Sequence, residues 1–273
     1  MRLIAVLCFF LLLFSTSRSQ TKSNPNPGSH WYVSWGYTKA VYSQSSIHMQ
    51  NLKGSAGDHT GGKDFYDFTL LNATAHDRPD MNKLTDLSNL SIPQFVCRAG
   101  YYFNEKWALE LNYDHTKYVV DDYQRVHIKG QIDGTWMDKD TTLDPVNFFH
   151  FEHTDGANFL MLNAVRKWNL YQPSARFQMS WVLKPGAGIV IPRTDVTLFG
   201  SHLNNDWKVA GYIVGVETGL RLEFLKYGMF ELVTKGSYAN YVNAFVLGKG
   251  NGKASHHFYA AQVTATIGFK FGT

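Results

Sequence analysis

Residues 107–119 read WALELNYDHTKYV. Trp107, Leu109, Leu111 and Tyr113 occupy every second position, and Ala108, Glu110, Asn112 and Asp114 lie between them. Successive side chains of a β-strand point to opposite faces, so this stretch has one oily side and one wet side. Which side meets the interior decides what kind of molecule the chain forms.

The same period of two recurs along the sequence. Trp31, Val33, Trp35, Tyr37 and Val41 share one face, and Ser34, Gly36, Thr38 and Ala40 the other. In 95–103, Phe95, Cys97, Ala99, Tyr101 and Phe103 oppose Val96, Arg98, Gly100 and Tyr102. The pattern continues through 177–191, 211–224, 229–238 and 259–271. The stretch 158–170 is less regular: with Leu160, Leu162, Ala164, Trp168 and Leu170 on the oily face, Arg166 falls there too. These runs span about 10–16 residues, against ~5–6 for the usual globular strand and ~9–11 for one crossing a bilayer at a tilt. Length favours a membrane wall.

Period alone does not distinguish oily-outside from oily-inside. Three further features choose. The glycines lie mainly on the polar face, where a narrow lumen needs room for large side chains. Aromatics recur near strand ends (Trp31, Phe103, Trp107, Trp168, Phe224, Phe230, Phe271), as in interfacial girdles. Short turns at 104–106, 171–175 and 225–228 alternate with long connections at 120–157, 192–208 and 246–256, the pattern of periplasmic turns and outside loops. The expected fold is all-β: a closed antiparallel transmembrane barrel of eight strands, at 31–43, 92–103, 107–119, 158–170, 177–191, 209–224, 229–243 and 257–271. Residues 63–74 and 125–132 are expected as β-extensions outside the membrane; if 63–74 spans, the count becomes ten.

The chain opens MRLIAVLCFFLLLFSTSRSQ, with Arg2 before an apolar run from Leu3 to Phe14 and small residues after it. This is the layout of a cleaved secretory signal, too short to span a bilayer. The cut is expected after Ser19, leaving a flexible linker, 20–29, and a barrel domain, 30–273. The whole chain carries 26 Lys and Arg against 22 Asp and Glu; without Arg2 and Arg18 the balance is 24 against 22. So small an excess gives no reason to expect nucleic acid as partner. Cys97 alone remains beyond the signal, so no internal disulfide is expected.

With the signal, the dyad strands, the alternating loops and the terminal ATIGFKF, the chain resembles the small outer-membrane β-barrels of Gram-negative bacteria, the OmpA-, OmpX- and OmpW-like class. The stretches NATAHDRPD, SIPQF, GAGIVIPRTDVTLFG and GKASHHF resemble an uncharacterised β-barrel family of Bacteroidota. The resemblance implies a place in the outer membrane, in contact with its lipid; fold transfers by such likeness and function does not.

Four sets of residues bear on function. The polar face carries Arg98, Glu110, Asp114, Lys184, Glu217, Arg221, Glu223, Glu231, Lys235 and Lys270. Eight strands enclose a space that side chains fill, so Arg98, Glu110, Asp114, Glu217, Arg221 and Glu223 are expected to form a paired polar plug rather than an ion path. In HFEHTD, His150, Glu152, His153 and Asp155 offer nitrogen and carboxylate ligands for a metal, although their spacing matches no closed site and solvated loop polarity is the simpler reading, and no cofactor is called for. Ser255 and His257 share parity at the top of the last strand on the lipid side, a candidate nucleophile and base for an outer-leaflet lipid hydrolase. The connections 44–91 and 120–157 far exceed what barrel closure needs, which suggests contact with an envelope protein or a glycan. The leading expectation is a non-enzymatic structural or interaction module, with the hydrolase and a narrow channel as alternatives.

Overall fold

The structure, a computed structural model, describes residues 30–54, 64–78, 94–153, 155–249 and 251–271. The expected signal, cut site and linker lie outside them. The strands in chain order are β1 (Trp31–Tyr42), β2 (Ser45–Asn51), β3 (Tyr66–Ala73), β4 (Ala75–His76), β5 (Phe95–Tyr102), β6 (Trp107–Asp114), β7 (Tyr118–Val120), β8 (Arg125–Ile132), β9 (Thr135–Thr142), β10 (Phe149–His153), β11 (Phe159–Ser174), β12 (Phe177–Val190), β13 (Arg193–Leu198), β14 (Ser201–Trp207), β15 (Gly211–Phe224), β16 (Gly228–Phe245) and β17 (Lys253–Phe271).

Eight of these close on themselves in the order β1-β5-β6-β11-β12-β15-β16-β17, with β17 pairing back to β1. The closing seam is antiparallel and runs the full length of β1, from Trp31↔Phe271 to Tyr42↔Ala260. The ring leaves no free edge along that seam, the condition for a sheet to stand in hydrocarbon. All eight expected spans are present, so the ten-strand alternative falls. Alternation sets the faces. Trp35, Leu111, Val263 and Phe269 are 59%, 50%, 54% and 63% exposed on the outside. Glu110, Lys184, Glu217 and Arg221 are at most 1% exposed inside. Glycine makes room within: a Cβ on Gly100 would fall 2.2 Å from the Tyr32 ring. At the irregular stretch, Arg166 does stay outside, 4.8 Å over Trp107 and 5.2 Å over Trp168, while Lys167 turns inward.

Above the membrane wall the chain builds two further β-layers. β1 runs almost directly into β2, and the top of β17 leaves β1 to pair with β2 through Lys253, Ala254 and Ser255. From there the sheet extends as β2-β3-β8-β9. The second sheet has the order β14-β13-β10-β7-β4. The extensions expected at 63–74 and 125–132 are β3 and β8. Other stretches expected as loops are strands too, among them β2, β10 and the β13–β14 hairpin within 192–208. Their inward residues explain them. Ile47 and Met49 of β2, Phe149 and Phe151 of β10, and Val196 and Leu198 of β13 are fully buried in one core. That core also takes Phe159, Met161, Ile213, Tyr241 and Phe258 from the wall strands, so it reaches down into the barrel mouth.

Candidate functional site: a charge-filled lumen beneath a β-platform

The six expected plug residues all face the lumen, and the structure enlarges their network. Four buried cations, Arg98, Lys184, Arg221 and Lys235, meet four buried carboxylates, Glu110, Asp114, Glu217 and Glu231. Arg98 donates to Glu217 at 2.7 Å, to Glu231 at 3.1 Å and to Asn112 at 3.0 Å. Lys184 donates to Glu110 and Glu231, each at 3.0 Å. Arg221 donates to Glu231 at 2.9 Å and to the Tyr102 hydroxyl, with its guanidinium 4.4 Å over the Tyr32 ring. Lys235 pairs with Asp114 and, at 3.2 Å, with Glu217. Glu223, expected in the same plug, belongs to a separate group nearer the short-turn end, with Lys167 at 3.1 Å and Lys270 at 2.9 Å.

Two features of the lumen escape the sequence. Glu231 is the network's hub, bonded to three cations, and period two places it inside without naming its partners. Lys167 was hidden by the broken parity beside Arg166. The vertical order matters more. Below the network lies an apolar cluster of Tyr32, Tyr102, Ala108, Val165 and Met229, with the Glu223, Lys167 and Lys270 group at the same level. Above the network stands the core shared with the extension. The balanced network is therefore capped by an apolar core on one side and by apolar side chains plus a second paired ion group on the other.

The metal candidates do not converge. On β10, His150 and Glu152 face one way and His153 the other. His150 Nδ1 lies 2.8 Å from Asp122 and its Nε2 3.7 Å from Glu152; those carboxylates, Glu152 first, raise the imidazole to about 9. Glu152 is bonded to Arg78 at 2.6 Å, and Asp155 pairs with Arg193. Among the described residues no three His, Cys, Asp or Glu side chains group as a metal site. His153 sits in the core with its Nε2 3.1 Å from that of His256, and its ring stacks on Tyr241. Burial, and then the neighbouring His256, push His153 well below the usual histidine range. Its Nδ1 has no partner. An unpaired buried N–H costs more than an unpaired lone pair, so His153 donates through Nε2 and His256 accepts. His256 Nδ1 then donates to Ser45 Oγ at 3.4 Å. The pair ties the β10 layer to the barrel wall.

The hydrolase candidates lie on the outward face, as expected from parity, yet no hydrogen bond joins Ser255 to His257 among the described residues. His257 instead lies against the Tyr238 ring at 5.8 Å. Ser255 stands opposite His48 on β2, whose Nε2 lies 2.6 Å from Asp67; no hydrogen bond links Ser255 to His48 either.

Comparison with known proteins completes the description. No protein-family model and no curated protein matches the sequence. Among solved structures, Neisserial surface protein A aligns at 13% identity over 88% of this chain and 97% of its own, with a TM-score of 0.38. The outer membrane protein OprG from Pseudomonas aeruginosa aligns at 13% identity over 90% and 98%, with a TM-score of 0.40. Ail, the attachment invasion locus protein of Yersinia pestis, aligns at 11% identity over 87% and 99%, with a TM-score of 0.28. At such scores the architecture rests on the strand pairing itself. By that pairing, the chain is similar in fold to the small outer-membrane β-barrels, an eight-stranded closed ring with an oily exterior.

Proposed function

We propose that this protein is an integral outer-membrane anchor, closed to solute passage, that holds a rigid β-platform outside the cell for a structural or binding role. The observation that carries this reading is the filling of the barrel from end to end: an apolar cluster with the paired Glu223 group beside it, a neutralised charge network, then an apolar core. An ion crossing the lumen would have to break charge-assisted bonds flanked by dry side chains, where an uncompensated charge costs several kcal/mol. The extension supports the rest. It shares one continuous core with the barrel mouth, so it is fixed to the wall rather than suspended on loops. Planar-bilayer recording of the purified full-length protein tests the proposal. Baselines without unitary conductance at 100 mV support it, and reproducible ion-selective steps contradict it.

A further inference from the structure

Lipid accounts for the exposed tryptophans on the wall, and the mouth of the barrel accounts for Trp207, at the foot of the β13–β14 hairpin. It does not account for Trp136. This residue is 63% exposed near the β8–β9 turn, at the far end of a cross-strand row. The row runs Lys253, Gln50, Asp67, Gln131, Trp136 across four strand pairings. It begins six residues beyond Tyr259, whose exposed ring meets Tyr238 on the outward face of the wall. At ~3.3 Å per residue this is about 20 Å of strand farther from the short-turn end. The Trp136 ring packs on no other ring among the described residues.

Trp136 instead borders a groove of about 290 Å³, with Asp67, Thr69, Lys129 and Gln131 along it. That volume lies at the small end of the range for ligand sites. Gly130, at φ +138°, brings the β8 backbone so close to β3 that a Cβ would fall 2.2 Å from the Asp67 carbonyl oxygen. The polar groups here are of two kinds. The charged groups lining it are one of each sign, Asp67 and Lys129, and each has a partner in the sheet: Asp67 accepts from His48 at 2.6 Å and Gln50 at 3.0 Å, and Lys129 lies 3.7 Å from Asp138. The Thr69 hydroxyl, the Gln131 amide and the Trp136 N–H make no side-chain hydrogen bond among the described residues. A flat aromatic ring beside uncharged donors and acceptors, with one carboxylate and one ammonium and so no excess of either sign in the lining, suits a ligand with an apolar face and many hydroxyls.

We propose that this groove binds a neutral glycan, one sugar ring stacking on Trp136 while Thr69, Gln131 and the outer lone pairs of Asp67 take its hydroxyls. The inference rests on the reading of the extension as an outside platform and names what that platform holds. The test uses the full-length protein in nanodiscs on an array of immobilised neutral oligosaccharides (glucose, mannose and N-acetylglucosamine oligomers), with heparin as the charged comparison. The expected result is binding to at least one neutral series, weakened tenfold or more by Trp136→Ala and by Gln131→Ala, retained by Trp136→Phe, and unchanged by Trp207→Ala. Binding to heparin alone, to no neutral glycan, or binding indifferent to Trp136→Ala overturns it. A separate readout isolates the platform reading: Gly134→Cys in a Cys97→Ser background, labelled on intact cells with a membrane-impermeant maleimide. Labelling without glycan binding defeats the groove alone, and no labelling defeats the platform as well.

Discussion

Glu231 holds Arg98, Lys184 and Arg221 at 3.1, 3.0 and 2.9 Å, so its charge neutralises a site fully buried from solvent. Glu231→Gln preserves shape and removes that charge. It is expected to destabilise the folded barrel by about 3–5 kcal/mol, the cost of stranding a buried charge, read by urea unfolding in lipid vesicles. The same change at Glu105, in an exposed turn, should cost under ~0.5 kcal/mol. The histidines of β10 predict a pH dependence with two limbs. His153 is held neutral in the fold, so the unfolded chain binds the extra proton and stability falls as pH drops below the unfolded value of about 6.5. His150 is raised to about 9, so its contribution is whole below about 6.5 and is lost as pH rises towards 9. Each histidine contributes a slope of at most about 1.4 kcal/mol per pH unit, and His256, lowered to about 3 by burial, adds to the acid limb in the same sense. Unfolding midpoints from pH 4.5 to 9.5 should therefore peak near neutrality. His153→Phe should make the acid limb shallower and His150→Asn should flatten the alkaline one; limbs unchanged by both substitutions would refute the assignment. At this scale the sequence shows which face Glu110 or Arg221 occupies, because parity is local. It does not show that Glu231 is the hub or that His153 meets His256, because those partners lie far apart in the chain.

A strand is legible when one face is oily and the other wet over many residues. The wall strands satisfy this, and their expected ranges agree with the structure to within a few residues at most ends. The extension strands do so less well. β9, TWMDKDTT, is exposed on nearly every residue, so it has no alternation to read. β14, SHLNNDW, offers only Leu203 and Trp207 as large apolar residues. β2 follows β1 after two residues, which hides its start inside a longer run. For the wall, the outward face carries a direct prediction. Leu232, 49% exposed and paired with Ala265 midway down β17, faces hydrocarbon in this account. Leu232→Arg should then destabilise the barrel in bilayers by about 2–4 kcal/mol, the cost measured for a lipid-facing cation near the midplane. An effect below ~0.5 kcal/mol would place that face in water.

For the whole molecule, the barrel and its extension form one unit because the dry core of the outer layers descends into the barrel mouth. Closure of the ring was readable from strand count and loop alternation. The presence of two ordered sheets outside was only partly readable, since connection length announces extra structure without specifying its pairing. The direction each face points was read from glycine placement, aromatic strand ends and loop alternation, and it is the claim on which the rest stands. Spin labels at Leu109 and Val263, placed in a Cys97→Ser background and reconstituted in lipid bilayers, test this most directly. The account predicts high accessibility to dissolved oxygen and low accessibility to a water-soluble nickel relaxant at both sites. Labels shielded from oxygen and nickel alike would mean that protein, not lipid, covers the oily face, and would contradict it.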